Sequence, residues 1–255
     1  MTPLLILMYH KIYNPKRQGC LTRFATHLHY LKDKFPIVTP GDLLEKKKLS
    51  VCLTFDDAYY DFYHHVYPLL ISLNIPALLA IPTGFIQNST DVLAHKRLNA
   101  NFTLGLSDPS DAKTKAPLCT WAEINEMVSS KLVVPASHSH SHSHAHSHNQ
   151  ASVEDTLKAK DIIQKKTSQS VSTYVYPYGK TNPQHHRQIR QHHRYAMRIG
   201  SALNCGLNGD WSTRNNDNLL YRVNADPIWQ QGRTLGPSIL IPAAIKYGIN
   251  RLRGK

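Results

Sequence analysis

Two adjacent carboxylates, Asp56 and Asp57, close the apolar run Val51 to Phe55. Some eighty residues later, histidine alternates with small residues: Ser137-His138-Ser139-His140-Ser141-His142-Ser143-His144-Ala145-His146-Ser147-His148. Paired acids can divide labour, one holding a cation while the other takes a proton, because the cation lowers the cost of two close negative charges. Neutral imidazole is a common ligand for borderline metals. Histidines four apart converge on a helix face or in a tight loop, and the run offers His138 with His142, His140 with His144, His142 with His146 and His144 with His148. Plainer readings stand beside these. The acids also fit a helix N-cap with an extra carboxylate, and the histidines also fit a low-complexity tract that binds metal loosely.

The elements that must position these groups follow from periodicity. Residues 4–9 and 51–55 read as buried strands and residues 75–81 as a third. Between them lie helical patterns over 22–34, ended by Pro36, and over 59–73, where Pro68 kinks or restarts the helix. Strand, helix, strand, helix, strand is the signature of parallel β/α units, and the acids then sit at a strand's C-terminal end, where barrel sites are built. The polar segment 86–117 reads as a long insertion or lid rather than a core element. A helix over 121–130 starts with Thr120 as N-cap and Glu123 three residues on. A strand over 132–136 leads into the histidines. A helix over 152–166 follows, capped by Ser152 with Asp155, then a strand over 172–176 that runs into Pro177-Tyr178-Gly179. Residues 183–198 read as one basic helix whose His185-His186 and His192-His193 face solvent, and 200–230 as irregular chain with short strands. In the tail, 235–255, Pro242 starts a helical pattern with Ile245, Ile249 and Leu252 on one side. That pattern suits either a final helix packed on the domain or a basic amphipathic contact with a membrane surface.

Composition sets the limits. The 255 residues contain 30 Lys plus Arg against 17 Asp plus Glu, and 30 − 17 gives a net charge of +13. No apolar run approaches the ~20 residues of a membrane-spanning helix. Four scattered cysteines without a CxxC pair argue against a disulfide scaffold or a thiolate zinc site. The positive charge admits nucleic acid, an anionic membrane face or an anionic sugar. No zinc-finger spacing or aromatic-basic RNA motif supports nucleic acid, which is excluded as a partner. Leu4 to Met8 leads straight into Tyr9-His10 without a basic n-region or cleavage site, so a cytoplasmic location is the expectation.

Taken in order, these motifs resemble those of the polysaccharide deacetylase (NodB-homology) family of carbohydrate esterases. Leu7-Met8-Tyr9-His10-Lys11-Ile12 is similar to the family's opening strand. Thr54-Phe55-Asp56-Asp57 resembles its first catalytic motif, with Ala58 where the family usually has Gly. Ala136-Ser137-His138 to His142 resembles its His-Ser/Thr-x-x-His motif, and Tyr176-Pro177-Tyr178-Gly179 its third. The resemblance covers most of residues 4–225. It implies a distorted (β/α)7-type barrel as one catalytic domain over 1–234, with the insertion 86–117 and a basic amphipathic tail over 235–255.

The resemblance further implies that Asp57, His138 and His142 bind one divalent metal ion and that Asp56 is the catalytic base. Zinc is favoured by the nitrogen-rich set, and cobalt, nickel or iron would also fit. The Tyr178 backbone N–H would face the developing oxyanion. Tyr176, Pro177, Trp211 and Arg222 would contact substrate. The family's third motif often carries an Arg that orients the base, and Val175 stands there. Its last motif often supplies a His as general acid, where Leu220-Tyr221-Arg222 has none, so His10 at the end of the first strand is the candidate. Asp210-Trp211 is similar to the fourth motif only weakly. The implied activity is removal of N-acetyl or formyl groups from an amino sugar of a cell-envelope glycan, or from its lipid- or nucleotide-linked precursor. The protein would then work in the cytoplasm, with peripheral contact to an anionic inner membrane face. A catalytically degenerate carbohydrate binder and a histidine-rich metal-binding protein are the alternatives.

Overall fold

The computed structural model describes residues 2–142, 150–213 and 217–252. In chain order the elements are β1 (Leu4–Tyr9), α1 (Cys20–Lys34), β2 (Ser50–Phe55), α2 (Tyr67–Leu73), β3 (Ala77–Ile81), α3 (Ala94–Leu98), α4 (Pro109–Thr114) and α5 (Trp121–Ser129). There follow β4 (Val133–Ser137), α6 (Gln150–Thr167), β5 (Thr173–Val175), α7 (Pro183–His192), β6 (Tyr195–Ile199), β7 (Leu219–Asn224), α8 (Asp226–Gln230) and α9 (Pro237–Leu252). The seven strands pair in sequence order, all parallel, and β7 returns to pair with β1, closing a barrel. This is the expected (β/α)7-type architecture.

Both faces of the strands are buried, which explains why they read as continuous apolar runs rather than alternating ones. Leu4, Ile6, Cys52, Leu78, Ala80 and Val175 belong to the cluster inside the barrel. Leu5, Leu7 and Tyr9, on the other face of β1, pack against the helices together with Phe24, Leu28 and Leu31 of α1. Tyr9 stacks on Phe55 (centroids 4.9 Å apart) and meets Phe24 edge-on (5.6 Å), tying β1, β2 and α1 together.

Several local outcomes differ from the sequence reading. The helix expected over 59–73 runs unbroken over 60–73 but widens into a π-helical turn, Phe62–Val66, immediately before α2, with the flanking Val66 and Tyr67 still right-handed helical. The ladder thus adjusts just ahead of Pro68, whose missing N–H and ring an ideal α-helix would not accommodate. The single helix expected over 183–198 is in fact α7 plus β6. Arg190, Arg194 and Arg198 lie four apart and mimic a helix face, but Tyr195 to Met197 are buried and Ala196 pairs with Tyr174 and Leu219. His185, His186 and His193 are buried against the barrel, not solvated; only His192 of the four is exposed. Helix α9 starts at Pro237 and runs through Pro242 instead of beginning there. Its Ala243 is buried, Tyr247 Oη donates to Cys205 O and Asn250 Nδ2 to Gly200 O, while Ile241 and Ile245 stay exposed and Ile249 is half-buried. Among the described residues no helix is long and apolar enough to cross a membrane.

The segment 86–117 folds over the C-terminal ends of the strands on its own small core, where Phe102, Leu104 and Ala112 pack on Tyr59 and Leu118. Arg97 pins it. Its guanidinium donates to Ala116 O and Leu118 O, pairs with Glu123 at 2.6 and 2.9 Å, and lies 3.5 Å over the Tyr60 ring. Glu123 is also the capping-box acid of Thr120, so one carboxylate anchors both the start of α5 and the overlying segment.

Candidate active site

Neighbouring residues of a strand point to opposite faces, so two acids in a row share a pocket only if the backbone turns. It does: Asp57 (φ 70°) and Ala58 (φ 52°) are both left-handed just past the end of β2. That conformation costs a non-glycine residue about 1–2 kcal/mol. It accounts for the glycine that the family places where Ala58 stands. The histidine loop is braced in a similar way. Ser139 and His142 have positive φ, His140 and Ser141 give their backbone N–H groups to Asp155, and His140 Nδ1 meets Thr83 Oγ1 at 2.9 Å. Asp155 therefore serves this loop and not the helix cap expected with Ser152, and α6 already begins at Gln150.

These bends bring Asp57, His138 and His142 together, each buried and with one ligand atom within 4.8 Å of the others. His138 Nε2 and His142 Nε2 lie 3.5 and 3.3 Å from Asp57 Oδ1. His138 Nδ1 is 2.8 Å from Val175 O, a pure acceptor, so Nδ1 carries the proton and the Nε2 lone pair faces the cluster. Asp57 Oδ1 is buried without a hydrogen-bond donor. Oxygen and nitrogen lone pairs turned on one another call for a cation between them. Ligand bonds of ~2.0–2.1 Å in a tetrahedron separate donor atoms by about 3.3–3.4 Å, close to the spacing observed, so the residues fit a divalent ion.

Asp56 points into the same pocket and is gripped from the last strand. Arg222 Nη1 and Nη2 meet its two oxygens at 2.6 and 2.9 Å, and Nη1 also reaches Thr54 Oγ1 at 3.3 Å. Burial works against the Asp56 charge, yet Arg222 more than compensates and the pKa lies below its ordinary value. Across the pocket His10 Nδ1 bonds Asp226 Oδ2 at 3.2 Å, and its Nε2 lies 3.9 Å from Asp56. Burial disfavours the charged ring, but the bond to Asp226 and the nearby carboxylates raise His10 to about 9. The cavity around these groups measures about 710 Å³ and is bordered by Tyr178, by Ile199 and by Leu104 and Leu106 of the overlying segment.

Tyr178 is left-handed (φ 57°, ψ 8°) in a tight turn over Pro177–Gly179. Gly179 follows at φ 65°, and a Cβ there would lie 2.5 Å from Ile199 Cβ, so only glycine fits. The other predicted substrate contacts are corrected by their surroundings. Trp211 is fully buried in the barrel's inner cluster and donates Nε1–H to Asp42 O at 2.8 Å. It packs with Leu4 and Tyr195, at strand beginnings, away from the acids. Tyr176 is fully buried, with its hydroxyl 3.1 Å from His186 Nδ1, and Pro177 is buried behind the turn. Arg222 is fully buried behind Asp56 and holds that carboxylate instead of touching the cavity. His140 turns away to Thr83; His144, His146 and His148 lie outside the described residues.

Three contributors escaped the sequence reading. Asp226 orients His10; its only signal, an acid before Pro227 after a strand, reads equally as a helix start. Asp61 is buried and accepts the backbone N–H groups of Ile12 and Tyr13 at 2.6 and 2.7 Å, fixing the loop after His10. Asp155 holds the histidine loop.

Comparison with known proteins adds the family context. A family model described as polysaccharide deacetylase matches residues 44–197. The poly-beta-1,6-N-acetyl-D-glucosamine N-deacetylase of Escherichia coli K12 is 26% identical over 161 residues, which make up 52% of this chain and 22% of that protein. The chain thus matches about a fifth of that relative's length. Among solved structures, IcaB from Ammonifex degensii superposes with a TM-score of 0.68 at 21% identity, covering 91% of this chain and 96% of the other. The Streptococcus pyogenes deacetylase PplD, in complex with acetate, gives 0.66 at 19%, covering 94% and 97%. At these identities the two structures speak to the fold.

Proposed function

Because the polysaccharide deacetylase model takes in more than half of it, the chain belongs to that family, and we propose that it is a metal-dependent hydrolase removing N-acetyl groups from an amino sugar. The observation that carries this reading is the convergence of Asp57, His138 and His142 beside an Arg222-held Asp56, with His10 across the pocket. Asp57, His138 and His142 would hold the ion, zinc being the best match to one carboxylate and two imidazoles. When bound, the ion supplies Lewis-acid polarisation and an acidified water.

This chain's own residues account for the proton traffic. Asp56, kept ionised and oriented by Arg222, accepts the proton as water attacks the acetamide carbonyl. The N–H of Tyr178 is assigned to the oxyanion that develops. His10, charged by virtue of Asp226, gives its proton to the departing nitrogen as the C–N bond breaks, leaving acetate and a free amine. The Arg that the family's third motif lacks here at Val175 is supplied by Arg222, and the missing late His by His10. These placements favour a competent catalyst over a degenerate binder.

The name of the E. coli relative supports an N-acetylglucosamine glycan as substrate; a lipid- or nucleotide-linked precursor is the alternative that the same assay would separate from it. The exposed Ile241 and Ile245 on α9, in a chain of net charge +13, support peripheral contact with an anionic membrane face. The test of the core reading is acetate release from a panel of N-acetylated sugars with and without chelator. The metal-loaded protein should release acetate and the chelated protein should not. Asp56→Asn should abolish turnover yet retain one ion per chain; turnover by that variant would remove Asp56 as the base.

A further inference from the structure

The cavity over Asp56 and Asp57 does not end at the overlying segment. A second cleft of about 490 Å³ shares Lys11, Phe102 and Thr103 with it, so the two chambers lie side by side beneath the same segment. Both volumes fall within the ~300–1,000 Å³ of small-ligand sites, so together they have room for more than the unit that loses its acetyl group.

The chambers differ in charge. The first is lined by Asp56, Asp57 and Asp226. The second has no carboxylate among its described lining residues; it presents Lys11, Lys16, Asn14, Asn99, Asn101 and the Thr103 hydroxyl. The amides and the hydroxyl suit sugar oxygens. The two ammonium groups suit an anion: Lys11 is partly offset by Asp61 and by the acids of the first chamber, whereas Lys16 has no acid among the cleft's described lining residues.

Lys11 sits where the chambers meet. It directly follows His10, and its Nζ reaches across to Leu98 O and Ala100 O of the overlying segment, 3.3 Å each. An ammonium has three N–H groups, so two carbonyls leave one donor for a ligand beside it. Burial lowers its pKa, which an anionic ligand would reverse.

We propose that this second chamber is a substrate subsite for the sugar unit adjoining the acetylated one, and that it selects a unit bearing an anionic group, carboxylate or phosphate. The inference rests on the deacetylase reading and narrows its substrate from a neutral poly-N-acetylglucosamine to a glycan with an acidic unit next to the acetylated one.

The test uses the metal-loaded full chain and three matched disaccharides, in which the same N-acetylglucosamine is joined to glucose, glucuronic acid or glucose 6-phosphate. Two partly exposed charge contacts predict a kcat/KM for acetate release about tenfold higher for the anionic pair than for the neutral one. The preference should shrink towards parity in 0.5 M salt and in Lys16→Glu, a substitution on an exposed loop. The uronate and phosphate arms identify which anion is taken. Calorimetry on Asp56→Asn with the same three compounds reads binding without turnover. Equal kcat/KM for all three, or a preference that survives both salt and Lys16→Glu, would overturn the subsite. Absence of acetate from every compound, with the anionic preference kept in calorimetry, would instead sink the deacetylase reading and leave the subsite standing.

Discussion

Replacing Arg222 with Met tests the charge pair at the heart of the site. Arg222 is fully buried and holds both oxygens of an almost fully buried Asp56 at 2.6 and 2.9 Å. Removing one partner of a buried pair costs about 3–5 kcal/mol, because the other charge is stranded. Burial then acts on Asp56 with only His138 and His10 left to oppose it, and its pKa rises. A carboxylate with a depressed pKa contributes stability that is present above its unfolded value, ordinarily about 3.8, and is lost as pH falls through the folded value. In Arg222→Met that contribution disappears, and the acid limb of the pH profile of kcat/KM moves to higher pH. Asp56→Asn alone should also destabilise, since it strands the guanidinium, whereas the double variant should recover much of the loss. Urea unfolding of the metal-free proteins at pH 7.5 completes the cycle, with a coupling of about 3 kcal/mol expected. A cost below about 1 kcal/mol for Arg222→Met, simple additivity in the double variant, or an unmoved acid limb would refute the reasoning.

Two further outcomes follow from the geometry. A Cβ on Gly105 (φ 79°) would lie 1.9 Å from Tyr178 Oη, so Gly105→Ala should lower kcat/KM about tenfold by displacing the ring while costing only about 1–2 kcal/mol in stability. Unaltered steady-state kinetics would show that Tyr178 need not stand there. His193 is buried and neutral, its pKa lowered by burial to about 3. Its stability contribution is complete above the unfolded value near 6.5 and drains away as pH falls from there towards 3, by about 2 kcal/mol at pH 5. His193→Leu should flatten the acid side of the urea-midpoint profile by that amount; an unchanged profile counts against this origin.

Much of the fold was legible because its signals are local. The apolar runs at 4–9, 51–55 and 132–136, the Thr120–Glu123 capping box and the Tyr176-to-Gly179 turn each declare themselves within a few residues. The site was legible as far as its members are adjacent or closely spaced: Asp56 with Asp57, and His138 with His142. What stayed hidden depends on closure of the barrel. Arg222 is 166 positions from Asp56, and nothing about it in one dimension separates a guanidinium that touches sugar from one that holds a carboxylate. Asp226 meets His10 across 216 positions. Trp211 read as a binding aromatic because large flat side chains serve both sugars and cores, and only the packing reveals which. The histidines of α7 misled for a related reason: imidazole is polar enough to suggest water yet is buried here as a neutral ring.

The pairing of β7 with β1 has a bearing on biosynthesis. The guanidinium that grips the base arrives on the final strand of the ring, and the carboxylate that steadies His10 comes directly after it. A ribosome that has released only the first six strands has made Asp57, His138 and His142 but neither Arg222 nor Asp226. On the proposed reading, Asp56 and His10 would therefore be set for proton transfer only when the last stave of the barrel seats.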